Sequence, residues 1–360
     1  MTGTKGKSGG RRICDPRHLI AAAAIAITAP TVGDAQDLRY ALDAGMADLA
    51  LFTLSRTERK VSPMGQALLG RQGFRHGGDG RRFQPIASGH ALTPVVRHDN
   101  NVNDGIPSDH ITLGGLRFRI AEEDQAKSSI LAGLQYSRWW SFSYAPAARV
   151  TVASSYTFEL EPHYGYHHVA ANARICAEQP VADWTWWDSC LTGIYDNDSI
   201  GEDLTLAATT GPRALFESPF GMHQLAVSLG QSATKDYRKS LAQLSLATLS
   251  HDHGLFRLGL LAGEKIEKEN SVLYAADTGW TGEIFGRDVT VGIGHARTGG
   301  ADLFGIARED RINRASVSTP VGKFEIGGFV ERRRSTIDAY NETSFGLTMN
   351  IGVNLFDGLR

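Results

Sequence analysis

Large apolar residues occupy every second position near the end of the chain. From Ser344 to Leu355, Phe345, Leu347, Met349, Ile351, Val353 and Leu355 alternate with Gly346, Thr348, Asn350, Gly352 and Asn354. Successive side chains of a strand point to opposite faces, so the pattern builds one apolar face and one small polar face. The run lasts about eleven residues, against about five or six for an ordinary strand, and a tilted strand of about nine to eleven residues crosses a bilayer. The first set is expected to face lipid and the second a wet lumen. A long strand of a soluble barrel alternates in the same way, so this segment alone leaves both readings open.

The signature recurs upstream. Ile111–Ile120 and Ser129–Tyr136 flank a charged connector, Glu122–Lys127, and further segments follow at roughly 147–158, 163–175, 184–195, 202–210, 221–231, 238–250, 254–264, 271–283, 287–297, 312–319, 322–333 and 343–356. In one pair, Ala242, Leu244, Leu246 and Thr248 share a face, and beyond the His251–Gly254 turn so do Phe256, Leu258, Leu260 and Ala262. The segments number fourteen, at about 18 residues each with its connection, and Gly, Asp, Asn, Pro and His gather between them. Regular single strands joined by turn residues predict an up-and-down meander, and a single-chain bacterial barrel needs an even strand number. Counting Leu92–Arg97 as well would make the number odd.

The expected fold is therefore all-β: a transmembrane antiparallel up-and-down β-barrel of about 14 strands over residues 92–360, behind a short periplasmic or plug-like extension over residues 36–91. In the extension, Leu38, Leu42, Met46 and Leu49 share one side, which predicts a single helix over Leu38–Arg59. Residues 70–90, rich in Gly and Arg, read as loop. Trp139, Trp140, Tyr144, Tyr156, Tyr164, Tyr166, Trp184, Trp186 and Trp187 lie near predicted strand ends, as interfacial girdles require.

The N-terminus has the layout of a secretory signal. Lys5, Lys7, Arg11, Arg12 and Arg17 precede the apolar run Leu19–Ile27, and Gly33 and Ala35 place small residues before a cut after Ala35. Cleavage leaves 32 basic and 37 acidic residues, a formal charge of −5, which argues against a nucleic-acid partner. The 40 glycines among 360 residues exceed the usual ~7% and suit tight turns and close strand approach. Beyond the signal, no segment approaches the ~18 continuous apolar residues of a membrane helix. Cys176 and Cys190 remain as an even pair in an oxidising compartment, expected to form one disulfide, with two free thiols as the alternative.

Chemistry-bearing clusters are few. Arg97–Gly105 is dense in oxygen ligands but lacks the closing Glu of a calcium loop, and reads as a turn capped by Asx side chains. His251 and His253, and His163, His167 and His168, lack further ligands at zinc spacing. No G-x-S-x-G or phosphate-binding loop occurs, and no spacing singles out a nucleophile and its base. No catalytic residue, metal or cofactor is expected. Arg332–Arg334 reads as a solvated or lipopolysaccharide-facing cluster, with lumen-facing charge as the other possibility.

The stretch Pro94–Gly105, with Asp99, Asn100, Asn101, Val102 and Asn103 as its centre, precedes the meander. It resembles the phrase that opens the C-terminal barrel of the surface lipoprotein assembly modifier family. Ser344, Gly346, Met349 and Ile351 likewise resemble the terminal-strand signal read by the barrel-assembly machinery, although Asp357–Arg360 follow where such chains often stop on an aromatic residue. The resemblance covers roughly residues 92–360. It implies a monomeric outer-membrane translocator in contact with outer-membrane lipid, built by the assembly machinery, with lipoproteins or related secreted proteins as cargo. The family's periplasmic repeat domain has no counterpart in the 56 residues between the signal and the barrel. A passive porin, a lipid-hydrolysing enzyme and a surface adhesin are the rival readings; the mostly short predicted loops weigh against the last.

Overall fold

The computed structural model describes residues 35–57, 61–77, 82–103, 105–106, 108–113, 116–198, 201–303, 305–322 and 324–351. The export signal expected over residues 1–35 lies outside these residues except for Ala35, as do the terminal-strand positions Gly352, Val353, Asn354 and Leu355.

The chain begins with three short helices, α1 (Ala35–Asp43), α2 (Ala47–Thr57) and α3 (Pro63–Arg71). The single helix expected over Leu38–Arg59 is thus two. Gly45 sits between them at φ +73°, a left-handed conformation that ends α1 and turns the chain. Ser62 caps α3, its Oγ accepting the Gly65 N–H at 3.1 Å, with Pro63 at the first helical position.

The strands are β1 (Gln84–Asp99), β2 (His110–Leu113), β3 (Leu116–Arg119), β4 (Ser129–Ala145), β5 (Ala148–Leu160), β6 (His167–Ala182), β7 (Thr185–Asp198) and β8 (Glu202–Ser218). They continue as β9 (Gly221–Ala233), β10 (Arg238–Ser250), β11 (Gly254–Gly263), β12 (Ser271–Ile284), β13 (Arg287–Leu303), β14 (Ile306–Val321), β15 (Phe324–Ser335) and β16 (Glu342–Ile351). Fourteen of them, β1 and β4 to β16, form one sheet in sequence order, and every pair is antiparallel. The ends of the sheet meet: the His98 ring of β1 stacks on Phe345 of β16 at 5.2 Å, and Asn100 Nδ2 donates to Thr343 O at 3.0 Å.

The count agrees with the expectation, but its membership differs. Ile111–Ile120 is not a barrel strand; β2 and β3 pair as a separate hairpin in the connection from β1 to β4. The missing strand is β1, which starts at Gln84, within the segment assigned to the extension. Pro85, Gly89, His90 and Pro94 break up its alternation. Proline is tolerated at sheet edges and bulges, and a register shift lies between Pro85 and Ala87.

Elsewhere the alternation and the register agree. Ala242 pairs with Ala262, Leu244 with Leu260, Leu246 with Leu258 and Thr248 with Phe256, joining the two faces expected to match. Exposed apolar side chains form an outward belt on β4 to β9, β11 and β13 to β16: Leu134, Phe158, Ile175, Leu191, Leu206, Leu229, Leu260, Ile293, Val317, Val330 and Phe345. A surface this apolar is stable in lipid and not in water.

The two ends of the barrel differ. The β4–β5, β6–β7, β8–β9, β10–β11, β12–β13 and β14–β15 connections are two or three residues long. The opposite end carries the long excursion with β2 and β3, and the longer β5–β6, β11–β12 and β15–β16 loops.

Outward and inward positions should respond differently to charge. Leu191→Arg, at mid-strand on the lipid side, is expected to cost about 2–4 kcal/mol of folding stability in lipid. Asn172→Arg, on the inner face, should cost far less. Denaturant titration of the reconstituted protein measures both.

Candidate functional site in the plugged lumen

The helices sit inside the barrel at its short-turn end. Leu49, Ala50, Phe52 and Leu68 are fully buried against inward side chains of the wall, namely Trp186, Leu215, Met222, Ala247, Leu249 and Leu255. The Phe52 ring meets Trp184 edge-on at 5.1 Å, and Phe74 lies 5.9 Å from Trp184 and 6.5 Å from Trp186. Trp184 and Trp186 are therefore plug contacts, not interfacial girdle residues. Alternation puts Trp186 on the inner face beside Trp187, which is outward and exposed. Trp186 Nε1 donates to Ala147 O at 3.0 Å, satisfying its polar atom.

A buried ion network ties the plug to the wall. Asp48, in the first turn of α2, accepts from Arg149 Nη2 of β5 at 2.7 Å and from Arg213 Nη1 of β8 at 2.8 Å. Arg149 also donates to Glu178 of β6, its Nε reaching Oε1 at 2.8 Å, and Arg213 Nε donates to Asp188 of β7 at 2.7 Å. Arg213 reaches Glu178 as well, and its guanidinium lies 4.9 Å from the Trp186 ring centroid. Three carboxylates and two guanidiniums from four strands and one helix thus satisfy one another, as buried charges require. The positive end of the α2 dipole also favours the Asp48 carboxylate. A second tie lies across the lumen, where Arg39 Nη2 of α1 donates to Asp288 Oδ1 of β13 at 2.5 Å.

Around the α1–α2 bend the lumen stays open in two cavities. One, of about 340 Å3, is bordered by Met46, Asp48, Arg174, Glu178 and Gln243. The other, of about 330 Å3, is bordered by Met46, Gln224, Arg257 and Asp277.

The remaining sequence-selected residues fall in separate places. Cys176 and Cys190 face each other directly on β6 and β7 and are joined by a disulfide of 2.13 Å. Both lie on the lumen side beside Arg174, whose Nε is 2.9 Å from Cys176 Sγ. Asp99 to Asn103 lie at the long-loop end, where their side chains hold backbone. Asp99 Oδ1 accepts the Asn101 N–H at 2.9 Å, and Asn101 Nδ2 donates to Gly105 O at 3.0 Å. Asn103 is paired twice with the approach to β4, to Gln125 O at 2.9 Å and from Lys127 N at 2.7 Å. Val102 N donates to Lys127 O at 2.9 Å. On β16, Phe345 and Leu347 are outward and exposed, and Gly346 is inward and buried. The Phe329 ring covers Gly346 so closely that a Cβ there would lie 2.3 Å from Cε1. Nothing is described of the side chains of Thr348, Met349, Asn350 and Ile351.

Sequence spacing had no means of finding the ion network, whose members come from five elements. The same holds for His168, held between Glu159 Oε2 at 2.8 Å and Asp196 Oδ2 at 3.1 Å from the neighbouring strands. No group of metal-ligating residues occurs among the described residues. On the outer wall, His223 bridges Ser218 Oγ at 2.6 Å and Thr248 Oγ1 at 2.8 Å. Ser218 Oγ also accepts the Phe220 N–H at 3.1 Å, the geometry of a turn cap.

Burial pushes the Asp48 carboxyl up, but the Arg149 and Arg213 guanidiniums outweigh it and hold the group below the ordinary carboxylate range. A depressed folded value gives docking free energy that is complete above about pH 4 and is lost as pH falls through that depressed value. The plug is therefore expected to resist added protease from pH 8 down to about 4 and to become cleavable only as pH falls further, through the depressed value. Asp48→Asn should weaken docking by about 3 kcal/mol at neutral pH and shrink the acid-induced change. Limited proteolysis of residues 35–77 in the reconstituted protein reads both.

No protein-family model matches the sequence, and no curated protein does. Among solved structures, the chain is similar to CdiB from Acinetobacter baumannii at 9% identity and a TM-score of 0.41, covering 75% of this chain and 60% of that one. It thus spans less than two thirds of that protein. It is similar to CdiB from Escherichia coli at 12% identity and a TM-score of 0.40, covering 85% and 74%. OccAB3 from Acinetobacter baumannii aligns at 6% identity and a TM-score of 0.38, covering 73% and 98%. The architecture described above is an antiparallel up-and-down β-barrel of fourteen strands with an outward apolar belt.

Proposed function

We propose that the chain is a gated outer-membrane conduit that passes exported proteins, surface lipoproteins among them, from the periplasm outward. The observation that carries this reading is the plug: three helices fill the short-turn mouth and are held by apolar packing and by ion pairs of Asp48 and Arg39. In outer-membrane barrels the short turns face the periplasm, so the plug stands where a periplasmic substrate arrives. The contacts that hold it are noncovalent, and a substrate that competes for the wall can displace it. The resemblance of Asp99–Asn103 and of the closing strand to the surface lipoprotein assembly modifier barrel supports a protein cargo.

A passive porin is the second reading. It is favoured by the mixed charge of the inner wall, where Arg174, Glu178, Asp188, Arg257 and Asp277 border the open cavities and suit small polar solutes.

Two measurements test the proposal. In planar bilayers the full chain should conduct little, and removal of residues 36–77 behind an intact export signal should raise the open conductance several-fold. A large, stable pore in the intact protein would favour the porin. Co-expression with lipoproteins encoded beside it, scored by protease shaving of whole cells, should bring at least one to the surface only when this chain is present. Failure for every neighbour removes the protein-cargo reading and leaves the gate standing.

A further inference from the structure

The register of β13 to β16 sorts the outer wall into rows. Val291, Val317, Gly328 and Leu347 make one row, and Ile293, Ala315, Val330 and Phe345 the next. The third row is His295, Asn313, Arg332 and Thr343, and the fourth is Arg297, Arg311 and Arg334. Rows lie about 7 Å apart along a strand, so two steps carry the surface from fully apolar to fully guanidinium. The change occurs at the long-loop end. Of the triplet Arg332–Arg334, alternation sends Arg332 and Arg334 outward, while Arg333 faces in and meets Glu342 at 3.6 Å.

Like charges directly opposite on neighbouring strands repel. Here Arg297, Arg311 and Arg334 stand opposite one another on three strands, and Arg332 stands two positions from Arg334. Glu309 neutralises Arg297. In the loop beyond β15, Asp338 is engaged by Asn341. Arg311, Arg332 and Arg334 are exposed, and among the described residues no hydrogen bond or ion pair engages their guanidiniums. Arg311 shares the field of Glu309 with Arg297. Three exposed cations on a lipid-facing wall, immediately above a band of exposed Ile293, Val330 and Phe345, match an amphiphile that has acyl chains below and several phosphates above.

We propose that Arg311, Arg332 and Arg334 form a docking site for the phosphorylated glycolipid of the outer leaflet, with its phosphates on the guanidiniums and its chains along the β13–β16 face. The site rests on the same orientation as the gated-conduit reading, long loops outward, but not on what the conduit passes.

Native mass spectrometry of the full chain released from detergent micelles tests this. The probes are a bisphosphorylated glucosamine-disaccharide lipid, the same lipid stripped of phosphate, and inorganic phosphate. The phosphorylated lipid should be retained, the stripped lipid at least tenfold more weakly, and inorganic phosphate should not displace it. Arg311→Gln, Arg332→Gln and Arg334→Gln together should lower retention at least tenfold. Arg314→Gln, which removes an inward guanidinium lying over Phe329, should keep it. Heat-modifiable migration confirms that each variant is folded; if the triple variant is not, Arg311→Gln and Arg334→Gln singly should each weaken retention several-fold. Undiminished retention by the folded Arg311, Arg332 and Arg334 variants, equal binding of the stripped lipid, or displacement by inorganic phosphate overturns the proposal. None of these outcomes bears on conductance or on cargo display, so the two proposals fail separately.

Discussion

Inside a bilayer no water is present to satisfy backbone N–H and C=O groups, and this constraint shapes every later feature of the molecule. A sheet meets it when each strand pairs with both neighbours and the ends are brought together. The fourteen strands pair in strict sequence order, which is the simplest solution for a chain with short connections. Each residue then has one of two fates, lipid or lumen, decided by parity. Bulges reset parity locally, as between Pro85 and Ala87 and between Val272 and Tyr274.

Closure of so many strands creates the second problem. A barrel of about eight strands can fill its interior with its own side chains, while larger ones leave a channel or need a plug. Here the wall and the plug share the task. At the short-turn end the inward residues are Trp186, Leu215, Met222, Leu249 and Leu255, which make an apolar seat for α2 and α3. One step up the lumen they become Arg149, Glu178, Asp188 and Arg213, which cannot be left dry and unpaired. Asp48 completes that set. Replacing a whole buried ion network with apolar residues is often neutral or stabilising, whereas removing one partner is strongly destabilising, so Asp48 matters chiefly as the partner that the wall charges cannot be left without.

Much of the barrel was legible because lipid enforces a period of two over long stretches. The Leu241–Leu249 and Phe256–Ala262 faces were readable residue by residue, since both sides of the pattern are unambiguous. The first strand was not, because Pro85, Gly89, His90 and Pro94 disturb its alternation near the seam, where fewer neighbours constrain it. Ile111–Ile120 misled for the opposite reason. It alternates convincingly, but Gly114 and Gly115 fall between β2 and β3, and a hairpin satisfies the same pattern as one long strand. The ion network was out of reach, because each member is an ordinary charged residue until registers place Glu178 opposite both Arg149 and Asp188. Trp186 shows the same limit: adjacent tryptophans suggest a girdle, and only parity separates the one that meets lipid from the one that seats the plug.

The two sides of the lumen wall are also unequal. On β5 to β8 the inward positions carry the charged side chains that grip α2. On β13 and β14 the inward positions facing each other include Gly292 with Ser316 and Gly294 with Arg314, and Ala296 follows. The plug's tie to this side is the contact of Arg39 and Tyr40 with Asp288. On the gated-conduit proposal, a joint with a strong side and a weak side is expected to open as a hinge rather than as a stopper. In that proposal, loss of the Asp288 tie frees the β13 side of the plug while Asp48 keeps its network on β5 to β8. Loss of Asp48 leaves Arg149 and Arg213 without the plug's carboxylate and removes the contact that fixes where α2 sits on the wall.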